Sequence, residues 1–268
     1  MSDQDFLKRY GPRALVVGGS EGIGASFAEI LAAKGFGVTL AARSKGPLEE
    51  TAAKIRAAHK VDVRTHTLDL TGPDVAKAAD EILAGGEYGL VVYNAGATHG
   101  VGLFLDQPVE KALNLVRLNC DGPLIFAHRF LAPMRERKRG GYIVLSSMSA
   151  MSGAGYVATY SGVKSFEINL AEGLNWELKT HNVDVLCAVA GLTDTPAMAR
   201  SGMIIDGAAG FTPMRSEDVA SGALAALGKG PVWFAPGADA AAAMRAAPRD
   251  QLIESMSQAS AALWGLKA

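Results

Sequence analysis

Short apolar runs rich in β-branched residues alternate with longer amphipathic stretches along this chain, and few architectures accept that order. Residues 14–17, 38–41, 63–68, 89–93, 142–145, 183–189 and 231–234 read as strands. Residues 23–34, 47–59, 73–83, 109–139, 158–179 and 217–227 read as helices, with Phe27, Ile30 and Leu31 on one face of the first. A strand reached through a helix runs parallel to its predecessor, by a right-handed crossover. Helices then cover both faces of the sheet. The expectation is an α/β fold: a doubly wound parallel sheet of about seven strands, in one domain over residues 1–268. Neither a repeat nor a low-complexity linker divides the chain, and residues 238–268 read as a helical tail.

In an open parallel sheet, ligands gather beyond the C-terminal strand ends. Those ends carry Gly18, Ala42-Arg43, Asp69, Asn94, Ser146-Ser147 and Gly191, mostly small or polar. The first belongs to Gly18-Gly19-Ser20-Glu21-Gly22-Ile23-Gly24, between the first strand and the first helix. One glycine permits the tight turn, another lets a pyrophosphate approach bare backbone, and a third lets helix and strand pack closely. The helix N-terminus offers its N–H groups to the anion. With 31 glycines, three at fixed offsets arise by chance about 0.4 times, so the spacing counts only through its place after a strand.

The second strand ends Leu40-Ala41-Ala42-Arg43-Ser44. NAD sites place an acid here for the ribose 2′-OH, whereas NADP sites lack it and supply Arg. Arg43 can clamp a 2′-phosphate, with Ser44 as a further donor. Glu21 works in the opposite direction, as a carboxylate within the phosphate loop. The cofactor expected is NADP(H) rather than NAD(H).

Tyr160 and Lys164 are four residues apart on one helix face. A phenol titrates near 10, too high for a base at neutral pH. A neighbouring ammonium and a cationic nicotinamide ring would favour the phenolate. Tyr160 would then protonate a carbonyl oxygen in reduction and take the proton back in oxidation. Ser147, upstream at a strand end, could hold the substrate oxygen.

Gly18-x3-Gly22-x-Gly24, Asn94-Ala95-Gly96, Asn119, Ser147 and Tyr160-x3-Lys164 stand in an order and spacing that resembles the short-chain dehydrogenase/reductase superfamily, in its shorter single-domain branch. The resemblance covers residues 10 to 235 or so and is specific through the joint match. It implies a Rossmann-like fold and nicotinamide-dependent interconversion of a carbonyl and a secondary alcohol. It also implies that Gly18, Gly22 and Gly24 line the pyrophosphate, that Ser20, Glu21 and Ile23 of the same loop bind the cofactor with them, and that Arg43 selects NADP. Asp69 and Leu70 match the adenine contact, and Asn94 and Gly96 the loop below the adenosine ribose. Asn119 matches the anchor of a water relay to Lys164, which also bonds the nicotinamide ribose. Gly191, Thr193 and Thr195 match the nicotinamide side, Thr195 near the carboxamide. Three departures stand out: Val17 where Thr is frequent, Tyr93 for Asn, and Ala190 for Pro. A non-oxidative epimerase, dehydratase or lyase on the same fold stays open, as does a silent dinucleotide sensor.

Residues 195–213 match the family's substrate lid, with Met198, Met203, Ile204, Ile205 and Phe211 between Gly202, Gly207 and Gly210. Adaptable Met and aliphatic side chains suit an apolar substrate. His99, Phe104, Met148, Met151 and Tyr156 are further candidates for the pocket wall. A net charge of −1 argues against nucleic acid or anionic membrane as partner. The basic run 135–139 reads as a solvated helix end closed by Gly140-Gly141. The five His never fall at ligand spacing, so no metal is expected. Cys120 and Cys187 read as two buried thiols of a reducing cytoplasm. Residues 1–10 lack the apolar core of a signal peptide, and no run is long enough to span a membrane. By the resemblance, residues 109–139 and 158–179 are the helices that pair in a homodimer or homotetramer.

Overall fold

The structure is a computed structural model that describes residues 1–96, 101–204 and 212–266. The chain opens with α1 (Asp3–Tyr10), then runs β1 (Arg13–Val17), α2 (Gly22–Ala33), β2 (Gly37–Ala42), α3 (Lys45–Ala58) and β3 (Val63–Thr67). Next come α4 (Val75–Ala84), β4 (Tyr88–Tyr93) and α5 (Val109–Val116), which a π turn (Arg117–Asp121) joins to α6 (Gly122–Glu136). β5 (Gly140–Ser147), α7 (Ala158–Leu178) and β6 (Val183–Ala190) complete the central unit. Two short strands, β7 (Thr193–Asp194) and β8 (Met214–Arg215), pair with each other, and α8 (Pro196–Arg200) follows the first. α9 (Ser216–Ala226), β9 (Val232–Phe234), α10 (Ala238–Ala246) and α11 (Arg249–Leu263) finish the described chain.

All seven expected strands are present and parallel, in the order β3-β2-β1-β4-β5-β6-β9. The chain winds outward from β1 to β3, then crosses back to β4, so the winding reverses between β1 and β4. That reversal opens a crevice at the C-terminal strand ends, because neighbouring connections leave in opposite directions.

Both faces of the sheet are buried, which is why its strands read as continuous apolar runs. Side chains alternate between the faces with period two. Ala14, Val16, Leu40 and Val92 pack toward Phe27, Leu31, Leu48 and Leu224, side chains of α2, α3 and α9. Leu15, Val17, Val91 and Val144 pack toward Ile82, Phe126, Phe130 and Ala171, from α4, α6 and α7. Each large apolar side chain buried this way contributes about 1.5–3 kcal/mol over leaving it in water.

Several local expectations are corrected. α1 was not anticipated: its charges mask a two-residue apolar stripe, Phe6 and Tyr10, that docks on the sheet's N-terminal edge. The stretch 109–139 is two helices rather than one, because the π turn widens the backbone between them. The basic run does not end a solvated helix at Gly140-Gly141. α6 stops at Glu136, Lys138 takes a left-handed φ of 53°, and both glycines start β5. Arg137 turns inward to the Tyr88 carbonyl, and Arg139 pairs with Glu87. Cys187 is buried, but Cys120 is only half-buried; both are free thiols. Val109, Leu113 and Val116 of α5 and Trp176 of α7 are exposed, on two helices expected to pair between copies. Among the described residues, no helix is long and apolar enough to cross a membrane.

Candidate active site

The loop after β1 is built around missing side chains. Gly18 has φ +82°, and a Cβ there would lie 2.7 Å from the Ala95 nitrogen. A Cβ on Gly24 would lie 2.0 Å from the Gly18 oxygen, so only glycine lets α2 start so close to β1. On Gly22, a Cβ would lie 3.0 Å from Thr195 Cγ2, which shows how near the segment after β6 approaches the loop. Asn94 ties the loops together: its backbone N–H donates to Val17 at 2.9 Å and its side-chain amide to the Gly18 carbonyl at 3.0 Å. The first helical bond runs from the Ala25 N–H to the Glu21 carbonyl at 3.2 Å. The N–H groups of Gly22, Ile23 and Gly24 therefore have no acceptor within α2. Thr51 of α3 donates its hydroxyl to the Ser20 carbonyl at 2.7 Å and holds the loop from behind. Bare backbone beside unpaired N–H groups is a fitting cradle for a pyrophosphate.

Glu21 does not cap α2. Its carboxylate pairs with both terminal nitrogens of Arg200 on α8, one contact measuring 3.0 Å. The acid that weighed against a phosphate in this loop is thus matched by a cation across the cleft.

At the end of β2, Arg43 and Ser44 are exposed. Arg43 forms no ion pair among the described residues, and the Ser44 hydroxyl caps nothing. Beyond β3, Asp69 accepts from the Thr71 N–H at 2.9 Å and the Thr71 hydroxyl at 2.8 Å. Those two bonds hold its carboxyl below the usual range. Leu70 beside it is buried. These groups fit the adenosine half of a dinucleotide.

The other half of the crevice is polar and partly closed. Ser147 ends β5 in register with Ala190, so β6 keeps its pairing through the position where the family has proline. The Ser147 oxygen accepts from the Ser149 N–H at 3.2 Å, leaving its own O–H to donate elsewhere. Tyr160 is half-buried and Lys164 almost wholly buried, with Nζ 5.8 Å from the Tyr160 ring centre. Lys164 donates to the Leu145 carbonyl at 2.9 Å and to both oxygens of Glu167, at 3.0 and 3.1 Å.

Asn119 sits on the π turn. Its Nδ2 donates to the Leu115 carbonyl at 2.9 Å, and Tyr93 donates its hydroxyl to Leu118 at 2.7 Å. Side chains thus serve two carbonyls of the widened stretch, since a π turn shifts the backbone ladder out of step. Among the described residues, Asn119 Oδ1 is buried and has no partner. A Cβ on Gly96 would lie 2.8 Å from both Asn119 Oδ1 and Lys164 Nζ. An unpaired acceptor and an ammonium therefore converge on one point, where the bare Gly96 backbone leaves room.

On the β6 side, the Thr193 hydroxyl donates to the Gly191 carbonyl at 3.0 Å and so faces its own loop. The Thr195 oxygen caps α8 by accepting from the Met198 N–H at 3.2 Å. Next to Tyr160 lies a pocket of about 180 Å³, with Phe104, Leu105, Val109, Ala112 and Tyr156 in its wall. Met148 and Met151 do not line it. His99, Ile205, Gly207, Gly210 and Phe211 lie outside the described residues, as does most of the second half of the expected lid.

Glu167 was missed by the sequence reading. Burial pushes its carboxyl up to about 7, against the pull of Lys164. Burial also works against the Lys164 ammonium, and Glu167, Tyr160 and Cys187 together more than offset it, holding Lys164 above its usual range. Its signal was present: Tyr160, Lys164 and Glu167 fall at i, i+4 and i+7, one inward stripe of α7.

Comparison with known proteins places this geometry in context. A family model described as short chain dehydrogenase matches residues 12–203. A 7beta-hydroxysteroid dehydrogenase of Clostridium sardiniense is 30% identical over 225 residues, covering 84% of this chain and 85% of that protein. A very-long-chain 3-oxoacyl-CoA reductase of Pyricularia oryzae is 32% identical over 186 residues, 67% of this chain but only 56% of the reductase. Among solved structures, one of a 7beta-hydroxysteroid dehydrogenase superposes with a TM-score of 0.86 at 26% identity, covering 94% of this chain and 98% of its own. A short-chain dehydrogenase of Sphingobium yanoikuyae in complex with NADPH superposes with a TM-score of 0.79 at 28% identity, over 87% and 91% of the two chains.

Proposed function

The chain belongs to the short chain dehydrogenase family, and from that premise we propose that it interconverts a carbonyl and a secondary alcohol on an apolar substrate, with NADP(H). The observation that carries the reading is the convergence of Lys164 Nζ and the unpaired Asn119 Oδ1 on Gly96, one helical turn from Tyr160. When bound, the nicotinamide supplies or accepts the hydride. Tyr160 gives its phenol proton to the carbonyl oxygen in reduction and recovers it in oxidation. Lys164 stabilises the phenolate by its charge and holds the nicotinamide ribose. Asn119 Oδ1 accepts from a water that links Lys164 to solvent. Ser147 donates its free O–H to the substrate oxygen, where charge grows as the reaction proceeds.

Binding follows from the other strand ends. The loop from Gly18 to Gly24 holds the pyrophosphate on its backbone, with Glu21 neutralised by Arg200. Arg43 and Ser44 take the 2′-phosphate, Asp69 and Leu70 border the adenine, and Asn94 and Gly96 border the ribose. Gly191, Thr193 and Thr195 form the nicotinamide side through backbone and the Thr195 hydroxyl. The NADPH complex of a relative supports the choice of cofactor. Relatives named for a hydroxysteroid and a very-long-chain 3-oxoacyl thioester support an apolar substrate body, as does the pocket beside Tyr160.

A panel of steroid, aromatic and aliphatic ketones and acyl thioesters, read by NADPH absorbance, identifies a working substrate. With it, Tyr160→Phe should keep cofactor binding and slow single-turnover hydride transfer by about two to four orders of magnitude. Transfer at the unmodified rate would mean that another group delivers the proton.

A further inference from the structure

We infer that Glu167 is a positioning residue for Lys164, whose carboxylate sets both the direction of the ammonium and how much of its charge reaches the Tyr160 phenol. The inference rests on the roles proposed above for Tyr160 and Lys164.

The geometry begins with α7. Glu167 is fully buried, and Lys164 is 4% exposed. A buried carboxylate is costly unless paired, and Lys164 is its ion-pair partner, through both oxygens. An ammonium has three N–H groups. The Leu145 carbonyl takes one, and the two Glu167 oxygens, at near-equal distances, share a second as a three-centre bond, which leaves one N–H for the cleft, where Nζ approaches Gly96. Glu167 thus selects which way that last donor faces.

Charge follows from the same contact. Opposite charges 3.0 Å apart largely cancel at a distance, so Tyr160 experiences the pair rather than a lone cation. Removing only the carboxylate's charge would expose the phenol to the full ammonium, and the phenolate would form at lower pH.

Other groups around Glu167 do not replace it. Tyr93 on β4, Tyr142 and Ser146 on β5, Cys187 on β6, and Cys120 on the π turn all interact with it, as does Tyr160 through Lys164 on its own helix. Burial raises Tyr93, Tyr142 and Cys187 well above their usual values and Cys120 to about 11, which keeps them neutral. Asp121, on the same π turn, is exposed. Lys164 is the one cation in this group. The Glu167 carboxyl, pushed up to about 7 by burial, would then change charge within the working range of pH.

The test uses the full protein with NADP+ bound and needs no substrate. Near-ultraviolet phenolate absorbance is titrated in the unmodified protein and in Tyr160→Phe, and the difference reports Tyr160 alone. The same difference is taken for Glu167→Gln, with and without Tyr160→Phe. Gln keeps the size and one acceptor but not the charge. The midpoint should fall by about one pH unit. Glu167→Asp draws the charge back by one C–C bond, about 1.5 Å. It should lower the midpoint by a smaller but measurable step, and it replaces the Gln variant if that protein does not fold. An unmoved or raised midpoint in whichever variant folds overturns the inference. If Tyr160→Phe also transfers hydride at the unmodified rate, the proposed mechanism fails first. If Tyr160→Phe is impaired but the midpoint stays put, only the role of Glu167 is lost.

Discussion

Arg43 and Ser44 decide the cofactor, on the reading proposed here, because the end of β2 carries no acid and leaves both side chains in solvent. A charge-assisted contact to phosphate contributes about 1.5–3 kcal/mol. Arg43→Ala should therefore weaken NADPH binding by about 10- to 100-fold, by the conversion of 1.4 kcal/mol per decade, while NADH binding barely changes. Fluorescence titration of both cofactors into the purified protein measures this. Equal losses for the two would mean that Arg43 does not read the 2′-phosphate.

Elements bring to the crevice what single residues cannot. The π turn delivers Asn119 inward, and Tyr93 and Asn119 satisfy carbonyls there. In a straight helix from 109 to 139, those carbonyls would instead serve the next turn. α8 acts across the cleft in a second way, placing Arg200 against Glu21 in the phosphate loop. Arg200→Ala should leave Glu21 unmatched beside the pyrophosphate and weaken NADPH binding by about two- to five-fold. Adding Glu21→Gln should restore the affinity, since no charge then remains to repel. A loss that persists in the double variant would show that Arg200 acts on the cofactor directly.

The crevice lies at one end of the sheet, and the opposite end is held by α1. Tyr10 is fully buried and donates its hydroxyl to Asp184 at 2.6 Å, while Arg9 donates to the same carboxylate oxygen at 2.6 and 2.9 Å. α1 is thereby pinned to β6. Tyr10→Phe removes the bond given to the Asp184 carboxylate and the one accepted from Arg9 Nε at 3.0 Å, and should cost about 1.5–3 kcal/mol. For a chain of this size that lowers Tm by several degrees, with activity at 25 °C preserved, about 2–4 °C being expected per kcal/mol. Burial, with the Asp184 carboxylate beside it, raises the Tyr10 phenol above its ordinary value of 10.0. A phenol raised in the folded state stabilises fully below its unfolded value and loses that contribution as pH climbs past it. The gap in stability between the two proteins should thus hold at neutral pH and narrow above about pH 10. Thermal unfolding across that range measures it, and a constant gap would show that the Tyr10 hydroxyl contributes no such linkage.

The sheet was legible in the chain because a doubly buried strand must be apolar on both sides, and a helix between parallel strands must be apolar on one. Seven such runs leave little choice of fold. The positions of Gly18, Gly24, Ser147, Tyr160 and Lys164 were legible too, since each lies at a strand end or one helical turn from its partner. α1 was not, because five charged and polar residues among its eight conceal the two side chains that dock. Nor was the break at Arg117–Asp121, since a π turn adds no distinctive residue. The pairings of Glu21 with Arg200 and of Arg9 with Asp184 join residues 179 and 175 positions apart, and no local periodicity encodes such contacts. Glu167 lies between these cases. Its place on the inward stripe could be counted from Tyr160, but a lone acid on a helix reads as solvated until the neighbours that bury it are known. Local patterning determines which backbone forms and which side faces inward. Burial, and with it the charge a group can carry, depends on every element packed around it, and only the folded chain supplies that.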